Sequence, residues 1–177
     1  RPASAAAIDA LKALGIRTLM LTGDNPHTAQ AIAVKVGIDT VRANLLPQDK
    51  LDQIRSLVEA GSVVGMVGDG INDAPALARA NIGFAMGAAG SDTAIETADV
   101  ALMDDDLRKI PEFVRLSRKT AAVLKQNIGI ALGIKLVFLV LTLTGWATLW
   151  MAVFADMGAS LIVVANGLRL LRTKTAK

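Results

Sequence analysis

The chain reads as an α/β domain with a parallel, doubly wound sheet, followed by a hairpin of two membrane-spanning helices. Three observations carry that reading. Through about residue 110, short apolar, β-branched runs alternate with helix-like stretches joined by short loops, the pattern of a parallel sheet covered on both faces. Beyond Pro111 come two apolar stretches, Ile128 to Gly145 and Leu149 to Leu168, each close to the roughly 20 residues that cross a hydrocarbon core. Charge divides at the same place: residues 1–110 hold ten Lys/Arg against fourteen Asp/Glu, whereas residues 111–177 hold nine against two.

The α/β part opens with helical spacing from Ala3 to Leu14, closed by Gly15, and a strand from Ile16 to Leu21. Pro26 suits the first turn of a second helix, which runs through Val36 and stops at Gly37. Pro47 opens a third helix reaching about Glu59, and Gly61 turns the chain into a strand from Ser62 to Val67. A helix from Ala74 to Ala80 precedes the strand Ile82 to Met86, and a helix from Asp92 to Thr97 precedes the strand Val100 to Met103. After Pro111 a basic helix with Arg115, Arg118, Lys119 and Lys125 leads into the first span. Trp146 and Trp150 bracket the break between spans, and Arg169, Arg172, Lys174 and Lys177 follow the second. The expected divisions are residues 1–110 for the α/β domain, 111–127 for a basic linker helix, 128–168 for the spans and 169–177 for a basic tail. Positive charge outside both spans puts both ends of the hairpin in the cytoplasm.

Composition narrows the class. With 53% hydrophobic residues, the 177-residue chain is neither disordered nor fibrous. It has no cysteine, which excludes disulfides and thiolate metal sites within it. The basic half flanks apolar stretches and shows no aromatic-interleaved basic patch, so membrane lipid is the expected partner and nucleic acid is not. The first residue is Arg1 and a helical pattern follows at once, so a fragment of a longer polypeptide is expected.

In a parallel sheet, the carboxyl ends of the strands are where a site belongs. Thr22-Gly23-Asp24 follows the first strand, placing a hydroxyl, flexible backbone and a carboxylate at an anion-binding position. The alternative there is a helix cap from Asp24 or Asn25 ahead of Pro26. The next strand leads into Gly68-Asp69-Gly70-Ile71-Asn72-Asp73, where the glycines are expected to let the backbone turn tightly and two carboxylates and an amide converge. Hard oxygen donors of this kind suit Mg²⁺, which keeps several waters and shares phosphate oxygens. A simple capped loop does not call for carboxylates at both Asp69 and Asp73. In Pro47-Gln48-Asp49-Lys50 a lysine stands near a helix start, where the dipole disfavours a cation; an anion within its reach explains it.

These segments, the last completed by Ala74-Pro75-Ala76-Leu77, resemble the phosphorylation domain of P-type ATPases, members of the haloacid-dehalogenase-like (HAD) superfamily. The resemblance implies a Rossmann-like HAD domain. In it Thr22, with Gly23 and Asp24, binds a phosphoryl group, Lys50 neutralises its charge, Asp69 ligates Mg²⁺, and Asn72 and Asp73 support that site. It implies ATP as phosphoryl donor and an aspartate as acceptor, in the family motif Asp-Lys-Thr-Gly-Thr. That motif does not occur in these residues. The acceptor and the nucleotide-binding domain are therefore expected in a missing N-terminal part of the same polypeptide, and the fragment alone is expected to be inactive.

Two ionisable residues interrupt the apolar spans. Lys135 lies 11 residues before Trp146 and Asp156 lies 10 after it, so each sits roughly 15 Å deep, near the bilayer midplane. Charges there are costly and call for a partner or a function. One reading is a salt bridge pinning the hairpin. The pattern Asn127, Lys135 and Asp156-Met157-Gly158 is similar to the last two membrane helices of the P-type ATPases that export Zn²⁺, Cd²⁺ and Pb²⁺, in bacteria typically from the plasma membrane. By that resemblance Asp156 contributes to the transported-metal site and Lys135 is its counter-ion when the metal leaves. Copper or cobalt specificity, and a membrane-anchored HAD phosphatase, are the competing functions; the phosphatase has no use for opposite charges at one depth. Plain readings suit the rest: His27 faces solvent, Asp104 to Asp106 form a solvated turn and cap, and Met151 and Met157 pack in the membrane.

Overall fold

The computed structural model describes residues 2–69, 71–87 and 92–171. Gly70 and the basic residues Arg172, Lys174 and Lys177 lie outside the described residues. Two compact units divide the chain, Arg1–Pro111 and Glu112–Lys177.

The first unit alternates α1 (Pro2–Ala13), β1 (Leu19–Leu21), α2 (Pro26–Val36), β2 (Thr40–Arg42), α3 (Pro47–Glu59), β3 (Gly65–Gly68), a 3₁₀ turn (Ile71–Asp73), α4 (Ala74–Arg79), β4 (Ile82–Met86), α5 (Asp92–Thr97) and β5 (Val100–Leu102). Asn25, not Asp24, caps α2: its Oδ1 accepts the Thr28 N–H at 2.9 Å, and Pro26 occupies the first turn. Gly37 closes the helix at φ 80°, a left-handed conformation that suits glycine. At the head of α3, the Asp49 carboxylate accepts the Leu46 N–H at 2.8 Å.

All strand pairs are parallel, but they form two sheets rather than the single expected one: β1–β2, and β3–β4–β5. Strand β2 was not anticipated. Its three residues, Thr-Val-Arg, are too few for any periodicity to show. Strand β3 begins at Gly65 rather than Ser62, and Val63, 89% exposed, lies outside it.

Residues that immediately precede strands tie the amino ends together. Asp39, ahead of β2, accepts from the Thr18 N–H (2.8 Å) and hydroxyl (2.7 Å) and pairs with Lys12 of α1 at 2.8 Å. Asn81, ahead of β4, accepts from the Val64 N–H, and Asp99, ahead of β5, from the Gly83 N–H, each at 2.8 Å. Between the sheets and helices, Ile54, Met66, Ala76, Leu77 and Ala85 form one core cluster, with Leu21 and Leu51 packed against it. Phe84, Leu102 and Ile110 form a second.

In the second unit, α6 (Lys109–Leu143) is a single helix of 35 residues, without a break between the basic stretch and the apolar span; its first turn belongs to the first unit. Gly145 at φ 78° and the Thr148 cap turn the chain into α7 (Leu149–Leu168). Both helices are long and apolar enough to cross a membrane. Half-buried residues on α6, Asn127, Ile130, Ile134, Phe138 and Leu141, recur every three or four positions, as do Ala152, Ala155, Ala159, Val163 and Asn166 on α7. That spacing is the seam of a helix pair. Asn127 and Asn166 meet across it, with Nδ2 of Asn166 donating to Oδ1 of Asn127 at 2.8 Å.

Candidate functional site

The three motif segments stand on one piece of core. Leu21 precedes Thr22, Leu51 follows Lys50, and Met66 and Leu77 flank the Asp69–Asp73 segment; all four belong to or pack on the Ile54 cluster. Apolar burial, which is non-directional, thus gathers segments remote in sequence, and directional bonds then set their side chains.

Thr22 leaves the end of β1 with its N–H donated to the Arg42 carbonyl and its own carbonyl accepting from Leu45, both at 3.0 Å. The Asp24 carbonyl accepts the Asn44 N–H at 2.8 Å, where Asn44 adopts φ 55°. The segment after β2 therefore braces the Thr22–Asp24 loop. A Cβ on Gly23 would lie 3.3 Å from the Leu45 carbonyl oxygen, a tight contact that would press on that carbonyl. Thr22 Oγ1 accepts the Asp24 N–H at 3.1 Å, which leaves its hydroxyl proton to donate. The Asp24 carboxylate has no partner among the described residues.

Lys50 and Asp73 come together. Nζ of Lys50 lies 2.9 Å from Oδ1 of Asp73, and the two side chains are only 18% and 14% exposed. Asp73 occupies the cap position of α4 yet makes no capping bond, so its carboxylate is given to Lys50 and not to its own helix. Gly68 makes this possible in a way the sequence did not disclose. Its φ is not left-handed, so tight turning is not its role; a Cβ there would fall 2.7 Å from Cβ of Asp73. Asp69, next in the chain, is exposed and without a hydrogen bond or ion pair among the described residues, as is Asn72.

No group of three or more His, Asp or Glu side chains among the described residues is arranged to hold a metal ion. The donor set fits Mg²⁺ nonetheless: an open carboxylate at Asp69 and the second oxygen of Asp73 suffice for an ion that takes one or two carboxylates, with waters and phosphate oxygens. Two surface hollows, of about 420 and 290 Å³, are lined by residues of α2, β2 and the segment after β2 and include none of the motif residues.

In the second unit, the Asn127–Asn166 contact sets Lys135 within two residues of the level of Asp156, an offset of about 3 Å. Each is exposed and stands one position past a seam residue, Ile134 and Ala155. In an antiparallel pair a two-fold axis normal to the plane of the helices relates such positions, so both flank the same side of the seam. Among the described residues neither makes an ion pair. Side chains lean towards the amino end of their own helix, which in an antiparallel hairpin tilts these two apart.

The haloacid dehalogenase-like hydrolase family model matches residues 1–81. A probable cadmium-transporting ATPase of Listeria monocytogenes is 59% identical over 175 residues, 98% of this chain and 25% of that protein. A zinc/cadmium/lead-transporting P-type ATPase of Escherichia coli K12 is 51% identical over 98% of this chain and 23% of that protein. Among solved structures, a zinc-transporting PIB-type ATPase in an E2.Pi state superposes with a TM-score of 0.91 at 50% identity, covering 97% of this chain and 28% of that one. The chain thus spans about a quarter of the length of the relatives it matches. The likeness runs through both the HAD-like domain and the two long apolar helices, so the chain resembles a fragment of the P-type ATPases that are named as transporting cadmium or zinc.

Proposed function

We propose that the chain is the C-terminal part of an ATP-driven exporter of Zn²⁺, Cd²⁺ or Pb²⁺, embedded as a multi-pass protein in a bacterial plasma membrane with the α/β unit in the cytoplasm. The observation that carries the catalytic half is the Lys50–Asp73 pair, opposite charges 2.9 Å apart and mostly shielded, beside the unpartnered carboxylate of Asp69. Phosphoryl transfer is catalysed chiefly by positioning and charge neutralisation. Lys50, held in place by Asp73, keeps two N–H protons for phosphoryl oxygens. Thr22 donates its hydroxyl to the same group from the braced β1 loop. Asp69, with Asp73, would hold Mg²⁺, which when bound neutralises phosphate charge.

The phosphorylated aspartate belongs to polypeptide outside these residues. Among the described residues, strands β1 and β3 each have a partner on one side only. One further parallel strand paired with both would join the two sheets and bring a carboxylate at its end between Thr22 and Asp69. In the membrane, Asp156 serves the cation and Lys135 compensates its charge once the cation has gone. The names of the cadmium- and zinc-transporting relatives support this cargo.

The test uses the full-length protein. Asp156→Ala should lose Zn²⁺-stimulated ATP hydrolysis and metal binding, whereas Lys135→Ala should bind metal but release it slowly, because the remaining carboxylate has no other cation. Wild-type turnover per folded molecule in both variants would make the two residues structural. Stronger stimulation by Cu⁺ than by Zn²⁺ would reject the cargo and leave the ATPase.

A further inference from the structure

We propose that Asn166 and Asn127 are positioning residues for the intramembrane charges: their hydrogen bond fixes the register of α7 against α6 and so keeps Lys135 and Asp156 level. The proposal rests on the reading of those two charges as the cation site. Asn166 is held on both faces of its amide. Its Nδ2 donates to Oδ1 of Asn127 at 2.8 Å and to Oε1 of Gln126 at 3.4 Å, while its Oδ1 accepts from Nη1 of Arg169 at 2.9 Å. A guanidinium only donates, so Arg169 determines that the oxygen of Asn166 faces it and that the NH₂ group turns to α6.

The rest of the seam cannot set the register. The other half-buried positions are apolar or small, Ile130, Ile134, Phe138 and Leu141 on α6 and Ala152, Ala155, Ala159 and Val163 on α7. Apolar contacts are non-directional, and lipid tails are as apolar as the side chains they replace, so one such register differs little from the next. An amide pair is satisfied in one register only. Sliding by one helical turn, about 5.4 Å, would part the two amides. The slide that brings Val163 opposite Ile134 would also stretch the offset between Lys135 and Asp156 from about 3 Å to about 8 Å, beyond what a single ion or one ammonium can serve from both sides, whereas the opposite slide would leave it at about 2 Å.

The experiment measures register and function together in the full-length protein. Disulfide trapping compares an in-register cysteine pair, Ile134→Cys with Ala159→Cys, with a pair one turn out in the direction that parts the charges, Ile134→Cys with Val163→Cys. With the asparagines intact, the first should trap at least about tenfold faster. Asn166→Leu should bring the two rates close to equal. In the cysteine-unmodified protein it should raise the half-saturating Zn²⁺ concentration about tenfold while leaving half-saturation by ATP unchanged. Asn127→Asp keeps an acceptor for the Asn166 amide and should retain wild-type values, whereas Asn127→Leu should match Asn166→Leu and replaces it should that variant fail to reach the membrane. An unchanged trapping ratio in the leucine variants overturns the proposal, as does an Asn127→Asp protein that fails as completely as Asn127→Leu. A collapsed ratio with unchanged Zn²⁺ dependence retains the latch and overturns the reading of Lys135 and Asp156 instead.

Discussion

Aspartate and asparagine stand at both ends of the strands, but the two ends employ them differently. At the amino ends, Asp39, Asn81 and Asp99 each give an oxygen to a backbone N–H of the neighbouring strand, and Asp39 takes Lys12 as well. At the carboxyl ends, Asp24 and Asp69 have no side-chain partner among the described residues, and Asp73 declines its own helix terminus in favour of Lys50. Residue type therefore does not separate structure from chemistry here; partnership does. A carboxylate without a fold-level task at a strand end has its lone pairs free for a ligand, and its removal should cost activity without costing stability.

The largest effect that contrast demands is at Asp69. Asp69→Asn in the full-length protein should reduce metal-stimulated ATP hydrolysis by at least about a hundredfold, the scale of losing one preorganised electrostatic contact. Thermal stability should stay within about 0.5 kcal/mol, as for exposed positions generally. A stable variant with near-normal turnover would end the distinction between the two rims. Next comes Gly68→Ala. The added methyl would fall 2.7 Å from Cβ of Asp73, so Asp73 must withdraw from Lys50. Overpacking of that kind costs about 1–3 kcal/mol, and turnover should fall with it. Gly65→Ala is the control on the same strand, since its Cβ meets side-chain atoms of Ile82 at 3.4 Å and Phe84 at 3.5 Å, and the Ile82 carbonyl oxygen at an unstrained 4.0 Å. Equal behaviour of the two alanines in denaturation and in turnover would remove Gly68 from the site.

Much of this was legible before any coordinates. Helices α2 and α3 announce themselves through Pro26, Gly37 and Pro47, and the motif residues Thr22, Lys50 and Asp69 fall at helix starts and strand ends as their sequence context implies. What stayed hidden depends on separation. Lys50 and Asp73 are 23 residues apart, and sequence reasoning gave each its own task, phosphate for one and Mg²⁺ support for the other; their direct pairing needs the fold. Gly68 resembles a turn glycine because sequence shows a missing side chain but not the neighbour that fills its space. Strand β2 is set by its pairing with β1 and by the Asp39 tie, neither of which leaves a period in three residues. The seam between α6 and α7 is likewise invisible within spans that are apolar all round.

The amino-end rim supplies the next, smaller effect. The Lys12 ammonium, followed by the Thr18 N–H and hydroxyl, holds the carboxyl of Asp39 down to about 2. A carboxylate with a lowered folded value binds protons more readily in the unfolded chain, so its stabilisation is complete above the ordinary value near 3.8 and is lost as pH falls towards 2. Asp39→Asn keeps the acceptor for Thr18 but not the charge for Lys12. The variant should melt below the wild type at pH 7, the gap should narrow as pH falls below about 4, and turnover per folded molecule should be unchanged. A gap independent of pH would show that Lys12 contributes nothing.

Asp106 sharpens the comparison because its carboxyl is also held at about 2, by the Arg108 guanidinium first and the Arg108 N–H second, and yet its removal should matter least. Nε and Nη2 of Arg108 donate to it at 3.0 and 2.7 Å. Asp39, by contrast, links residues 21 and 27 positions away, so its contacts exist only once α1, β1 and β2 have assembled. Asp106 and Arg108 are two residues apart, and an unfolded chain closes that small ring almost as readily as a folded one. Equal depressions of a carboxyl in the folded protein therefore need not mean equal stabilisation, because stability depends on the difference from the unfolded state. Asp106→Asn should shift the melting temperature less than Asp39→Asn at pH 7, with no pH-dependent gap from wild type between pH 7 and 4. A loss as large as that of Asp39→Asn would show that the Asp106 turn, which leads into α6, is formed only in the folded protein and holds the start of that helix.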